Sequence, residues 1–83
     1  MEGKIRMYTL STCSHCKAAK RFLEDNGIAY DYRDVDLLGP ADRAAVLEDV
    51  KKLNPRLSFP TIVIGETVIV GFKEKEIREA LDL

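Results

Sequence analysis

The residues of this chain best suited to chemistry are the two cysteines of Cys13-Ser14-His15-Cys16, because paired thiols form and break a disulfide. They fall where a strand-like run over residues 4–10 gives way to a helix-like run over 17–26. A helix start presents unpaired N–H groups and the positive end of a dipole, and both favour an anion. A free thiol of pKa about 8.5 is only about 3% ionised at neutral pH, whereas one lowered to about 6 is about 90% thiolate. Attack on a disulfide needs the thiolate, so placement on the chain governs reactivity. With Cys13 at the helix start and Cys16 in its first turn, the Cα atoms stand roughly 5–6 Å apart, within disulfide reach. Cys13, the more exposed, is then the nucleophile, and Cys16 resolves the mixed disulfide. Lys17, four residues after Cys13, and His15, as a cation between the thiols, are candidate stabilisers of the thiolate. Lys17, Lys20 and Arg21 read equally as one solvated helix face.

The elements that must hold this pair follow from local patterning. Residues 5–10 form a short apolar, β-favouring run bounded by Gly3 and Ser11-Thr12, which predicts a buried strand. Ser11 or Thr12 is placed to cap the helix that follows. Ala18, Ala19, Phe22 and Leu23 recur at helical spacing, and Asn26-Gly27 supplies a stop. Residues 28–35 predict a second strand, parallel to the first through the crossover helix. Tyr30, Tyr32 and Arg33 belong to its surface and core. Gly39-Pro40 opens a second helix, striped by Val46, Leu47, Val50 and Leu53, and Asn54-Pro55 closes it. Residues 61–64 and 67–70 then read as a hairpin around the two-residue turn Gly65-Glu66. A last helix over 74–83 turns Ile77, Ala80 and Leu81 inward. The order β-α-β-α-β-β-α is most simply closed as a four-stranded mixed sheet flanked by three helices, an α/β arrangement.

Composition excludes several function classes. Eighty-three residues predict one domain over 1–83. Thirteen basic against 14 acidic residues leave a net charge of −1, and no basic cluster is interleaved with aromatics, which argues against a nucleic-acid grip. No apolar run approaches the roughly 20 residues that span a bilayer. Met1-Glu2-Gly3-Lys4 lacks a signal-peptide core, so a cytoplasmic location is expected; a monomer is expected as well. In that compartment a cysteine pair serves catalysis or metal binding more often than structure.

With Ser58-Phe59-Pro60 before the third strand and Val70-Gly71 at the end of the fourth, the Cys-x-x-Cys helix start makes essentially the whole chain resemble a glutaredoxin, a thioredoxin-like fold. The resemblance implies a cis Phe59–Pro60 bond lying against the cysteines. It also implies a substrate-binding surface of Phe59, Pro60, Thr61, Gly71, Phe72 and Glu74, and a thiol-disulfide oxidoreductase with no tightly bound cofactor. Its substrates would be disulfide-bearing proteins or small thiols, reset by glutathione, another low-molecular-weight thiol or a reductase. Departures bear on glutathione. The family's cation three residues before the first cysteine is Leu10, its Gly-Gly pair is Gly71-Phe72, and the acidic residue that follows is Lys75, with Glu74 adjacent. Pro-Tyr between the cysteines is Ser14-His15. Gly-Phe resembles redoxins reduced by a flavoenzyme thioredoxin reductase, although Phe72 reads equally as core. Lys51, Lys52 and Arg56 could replace the cation at Leu10, or form a solvated helix end favourable to the dipole. The alternative function is a metal or iron–sulfur cluster binding or carrier module using the Cys-x-x-Cys thiols, with His15 pointing away from both sulfurs in the helical geometry.

Overall fold

The computed structural model describes residues 5–83. Lys4, the turn read at Gly3 and the N-terminal tetrapeptide therefore lie outside it. Its elements are β1 (Ile5–Thr9), α1 (Ser14–Asp25), β2 (Asp31–Asp34), a 3-10 turn (Val35–Leu37), α2 (Pro40–Leu53), β3 (Thr61–Ile64), β4 (Thr67–Val70) and α3 (Glu74–Leu81). The sheet order is β2-β1-β3-β4. β1 runs parallel to β2 and antiparallel to β3, and β3 runs antiparallel to β4. This is the mixed α/β arrangement expected from the pattern.

Strand alternation divides the interior into two unequal halves. Ile5 and Met7 of β1, with Ile62, Ile64 and Ile69, pack against Ala19, Phe22 and Leu23 of α1 and Ile77 of α3. The opposite face carries Tyr8 and Val63, covered by Val50 of α2. Val46 and Leu53 of the expected stripe pack alongside from partly buried positions, whereas Leu47 is half-buried and stands outside this cluster.

Three local outcomes differ from the sequence reading. α1 begins at Ser14, a turn before residue 17, so the cap position falls on Cys13 rather than on Ser11 or Thr12. β2 is half the expected length. At the end of α1, Gly27 adopts a φ of +66°, its N–H donates to Glu24 O, and the Ile28 N–H donates to Leu23 O. That pair of bonds is the helix-closing pattern that a left-handed glycine permits. Ile28 is drawn in against the core by the same closure, so the chain meets β1 only at Asp31. The last helical turn of α3 closes at Leu81, ahead of residue 83.

Candidate functional site

The site is assembled at the junction of β1 and α1. Cys13 has extended backbone angles, half-in and half-out of the helix, and its Sγ accepts the Cys16 N–H at 3.4 Å. A sulfur thus takes the position usually filled by a hydroxyl or carboxylate oxygen, which satisfies one of the free donors of the first turn. Cys13 is partly exposed, whereas Cys16, one turn in, is fully buried. The two are free thiols. The Leu10 N–H, at the end of β1, points at Cys16 Sγ at 3.4 Å, and the Cys13 N–H donates to Leu10 O at 3.2 Å.

These contacts separate the two thiols. Burial by itself pushes the Cys13 thiol up, but the Cys16 thiol and the amides of Cys16 and His15 outweigh it and hold Cys13 below the ordinary value. Burial dominates at Cys16 and pushes it up to about 12. There the Leu10 amide and the charge of Lys20 pull down, and Cys13 pushes up. The field on Cys13 therefore comes from the backbone and its partner sulfur. His15 and Lys17 are both exposed, and neither side chain is among these causes. Lys20, read from sequence as solvated surface, is the cation that acts, and it acts on Cys16. Its ammonium lies 3.0 Å from Asp34 Oδ1 and 4.0 Å from the centre of the Tyr32 ring, with only 18% of the side chain exposed. Asp34 Oδ1 also lies 2.6 Å from the hydroxyl of the enclosed Thr9.

Facing the cysteines is the loop that enters β3. The Phe59–Pro60 bond is cis, and Phe59 O lies 4.0 Å from Cys13 Sγ. The Phe59 ring packs against the Tyr8, Val50 and Val63 cluster. The loop is organised from within by Asn54, the residue that ends α2 and is only 3% exposed. Its amide Nδ2 reaches Ser58 O at 3.1 Å, Ser58 Oγ at 3.0 Å and Thr61 Oγ1 at 3.2 Å, while Oδ1 accepts the Arg56 N–H. Between them Leu57 is held at a φ of +54°, a region that bulky L-residues avoid. Thr61 is fully buried and donates to Ser58 O, so its side chain shapes the loop instead of facing a ligand.

The far wall is the end of β4. Gly71 has a φ of +86° and donates its N–H to Pro60 O at 2.7 Å. A Cβ there would meet nothing within 4 Å, so the requirement for glycine is conformational and the space beside it is open. Phe72 is half-buried, its ring 6.0 Å from that of Phe22, which places it in the core packing. Glu74 is exposed and accepts from Arg78 Nε one turn on. Lys51 and Lys52 sit in the last turn of α2, exposed like Arg56. A depression of about 610 Å³ lined by Arg6, Tyr8, Asp31, Arg33, Asp42 and Asp49, among others, opens between the sheet and α2 instead, bordered by neither cysteine.

Sequence reasoning missed Asp36, Asn54 and the Thr9–Asp34–Lys20 group. Asn54 had a local signal, a polar residue between a helix end and Pro55. The aspartates had none, because their partners lie 14 to 25 residues away in the chain.

A cysteine pair on the first turn of the helix after β1, with a cis-proline loop across from it on a β2-β1-β3-β4 sheet, defines a thioredoxin-like fold built around a dithiol. The family model described as Glutaredoxin matches residues 5–69. The chain is 32% identical over 78 residues to an uncharacterized glutaredoxin-like 8.6 kDa protein of the rubredoxin operon of Clostridium pasteurianum, covering 94% of this chain and 97% of that one. Among solved structures it is similar to the methanoredoxin of Methanosarcina acetivorans, with a TM-score of 0.93 and 48% identity over 99% of this chain and 87% of that chain. A glutaredoxin from Methanosarcina mazei superposes with a TM-score of 0.89 and 50% identity, over 98% of this chain and 80% of that chain. The chain belongs to the glutaredoxin family. Membership implies thiol oxidoreductase chemistry and does not favour the metal-centre alternative. Among the described residues, no three metal-ligating side chains converge and no helix is long and apolar enough to cross a membrane.

Proposed function

We propose that the protein is a dithiol thiol-disulfide oxidoreductase that reduces protein or small-molecule disulfides through Cys13 and Cys16. One observation carries this reading: a partly exposed sulfur held below its ordinary pKa by the Cys16 thiol and the helix-start amides, with that second, buried sulfur one turn behind it. The Cys13 thiolate attacks one sulfur of the substrate disulfide; that S–S bond breaks, and the departing thiolate takes a proton from solvent. Cys16 then gives up its proton and attacks Cys13 Sγ. The Cys13–Cys16 bond forms as the mixed disulfide breaks, and the second substrate thiol leaves. Two electrons have passed from the dithiol to the substrate. Two equivalents of a thiol such as glutathione, or a reductase, return them.

No tightly bound cofactor enters this cycle, and a cytoplasmic monomer suits it. Phe59, Pro60 and Gly71 supply the substrate side of the site, whereas Thr61 is enclosed beneath the loop, Phe72 packs on Phe22 and Glu74 is engaged by Arg78. The open backbone around Phe59 and Gly71 supports contact with an extended peptide or thiol, with Thr61 contributing through the loop. Leu10 and Lys75 stand where cation and acid would hold glutathione, which supports a low selectivity for that thiol. Mass-tag alkylation of protein treated with a disulfide substrate tests the cycle. The parent should end with no free thiol, and Cys16→Ser should stop at a mixed disulfide on Cys13. Two free thiols in the treated parent would overturn the reading.

A further inference from the structure

The segment between β1 and Cys13 is tied to the rest of the fold by one carboxylate. The Ser11 N–H donates to Asp36 Oδ1 at 2.8 Å, and the Ser11 hydroxyl donates to Asp36 Oδ2 at 2.5 Å. Both oxygens of one side chain are thus engaged by a single loop residue, in the charge-assisted range. Asp36 lies in the 3-10 turn after β2, 25 residues away in sequence. That turn is itself braced. Arg43, in the first turns of α2, donates through Nη2 to Asp36 O at 3.2 Å and Leu38 O at 3.0 Å. The tied loop supplies the Leu10 amide that faces Cys16 Sγ and the Leu10 carbonyl that accepts the Cys13 N–H. Asp36 touches neither sulfur, and a negative charge placed here does nothing to favour a thiolate. Its service is geometric.

We propose that Asp36 is a positioning residue of the dithiol site, clasping Ser11 so that the Leu10 amide stays on Cys16 Sγ and the Leu10–Cys13 turn holds Cys13 Sγ against the amides of His15 and Cys16. The proposal rests on the dithiol reading but is measured without a disulfide substrate. Freed of the clasp, the turn samples orientations in which the Leu10 amide no longer faces Cys16 and Cys13 Sγ moves off the amides of His15 and Cys16. Cys13 then returns toward ordinary thiol behaviour.

The test is a double-mutant cycle of Ser11→Ala and Asp36→Asn, both near-isosteric changes, read on folded protein under native conditions. The first readout is the neutral-pH alkylation rate of Cys13 in a Cys16→Ser background. The second is the ratio of disulfide to dithiol in a fixed thiol redox buffer, with Cys16 present. Each single variant should slow alkylation roughly three- to tenfold. The double variant should be no slower than the slower single, because either change opens the same clasp. The redox ratio should move several-fold toward the disulfide, since a less stabilised thiolate favours oxidation. Unchanged rates in the singles, or losses that multiply in the double, would overturn the proposal. Failure of the parent to reduce any disulfide would instead remove the proposed function and leave this coupling measurable.

Discussion

Asn54→Ala should be among the most damaging single changes to this fold that touches neither cysteine. The buried carboxamide has two hydrogens on Nδ2 and meets three acceptors, and its oxygen holds the Arg56 N–H. Truncation removes about three net hydrogen bonds at roughly 1 kcal/mol each. Ser58 O keeps the Thr61 hydroxyl as a donor, so it is not orphaned, and Thr61 Oγ1 loses its incoming donor in a fully enclosed place. A loss of about 2–4 kcal/mol follows. That is a large fraction of the roughly 5–15 kcal/mol that holds a small domain. Urea titration of the reduced protein reads it directly. With a slope of about 1 kcal/mol/M, the midpoint should fall by roughly 2–4 M with the slope unchanged. Asn54→Asp is the informative companion, because it keeps the oxygen, loses both donors and buries a charge among carbonyl and hydroxyl oxygens. It should be at least as damaging. A loss below about 0.5 kcal/mol for the alanine variant, the level of an ordinary surface change, would show that the loop is held by something other than this amide.

Further outcomes follow from the same geometry. Leu57→Gly should be more stable than Leu57→Val by roughly 1–2 kcal/mol, because φ at +54° suits glycine and penalises a β-branched side chain most; equal midpoints in urea would contradict that strain. Cys16 has a folded pKa raised to about 12. Its contribution to stability is therefore fully present below the unfolded value of about 8.5 and is lost as pH rises toward the folded one. The reduced protein should lose stability through that alkaline window, and a Cys16→Ser variant that shows the same slope would assign the loss elsewhere. Cys13, shifted downward, has the opposite sign, and its alkylation rate should reach half-maximum at a pH below that of an unstructured cysteine peptide. Lys20→Gln removes a charge that pulls Cys16 down and leaves Asp34 without its cation. Release of product from the Cys13 mixed disulfide should slow about three- to tenfold with little change in the first attack; equal slowing of both steps would refute the assignment.

What the sequence disclosed, and what it withheld, divide along a physical line. Features written in neighbouring residues were legible. Pro40 marks a helix start because its missing N–H costs nothing there. Gly65-Glu66 between two short β-branched runs fixes the hairpin. Cys13 and Cys16 at a strand-to-helix junction place the pair at the start of α1, where the structure has it. The stop at Asn26-Gly27 was readable, but not that its closure would spend Ile28 on the core and shorten β2. Features that depend on which distant side chain arrives were not legible. Asp34 and Asp36 are alike in type and two residues apart, yet one meets Lys20 and Thr9 while the other meets Ser11. Only the parallel register of β1 with β2 sorts them, by setting Asp34 opposite Thr9. Lys17 and Lys20 differ in the same way, since one turn of helix separates open solvent from the side of a tyrosine ring.

The uneven burial of the two sheet faces has a consequence for how the molecule breathes. Helix α2 is secured by Val50 and a few partly covered neighbours, whereas α1 rests on most of the apolar interior. Local opening follows the weaker attachment, so α2 should lift and exchange its amide hydrogens well before α1 does. The cysteines thus ride on the half that stays shut, and an opening of α2 reaches them through Arg43 at its start and Asn54 at its end.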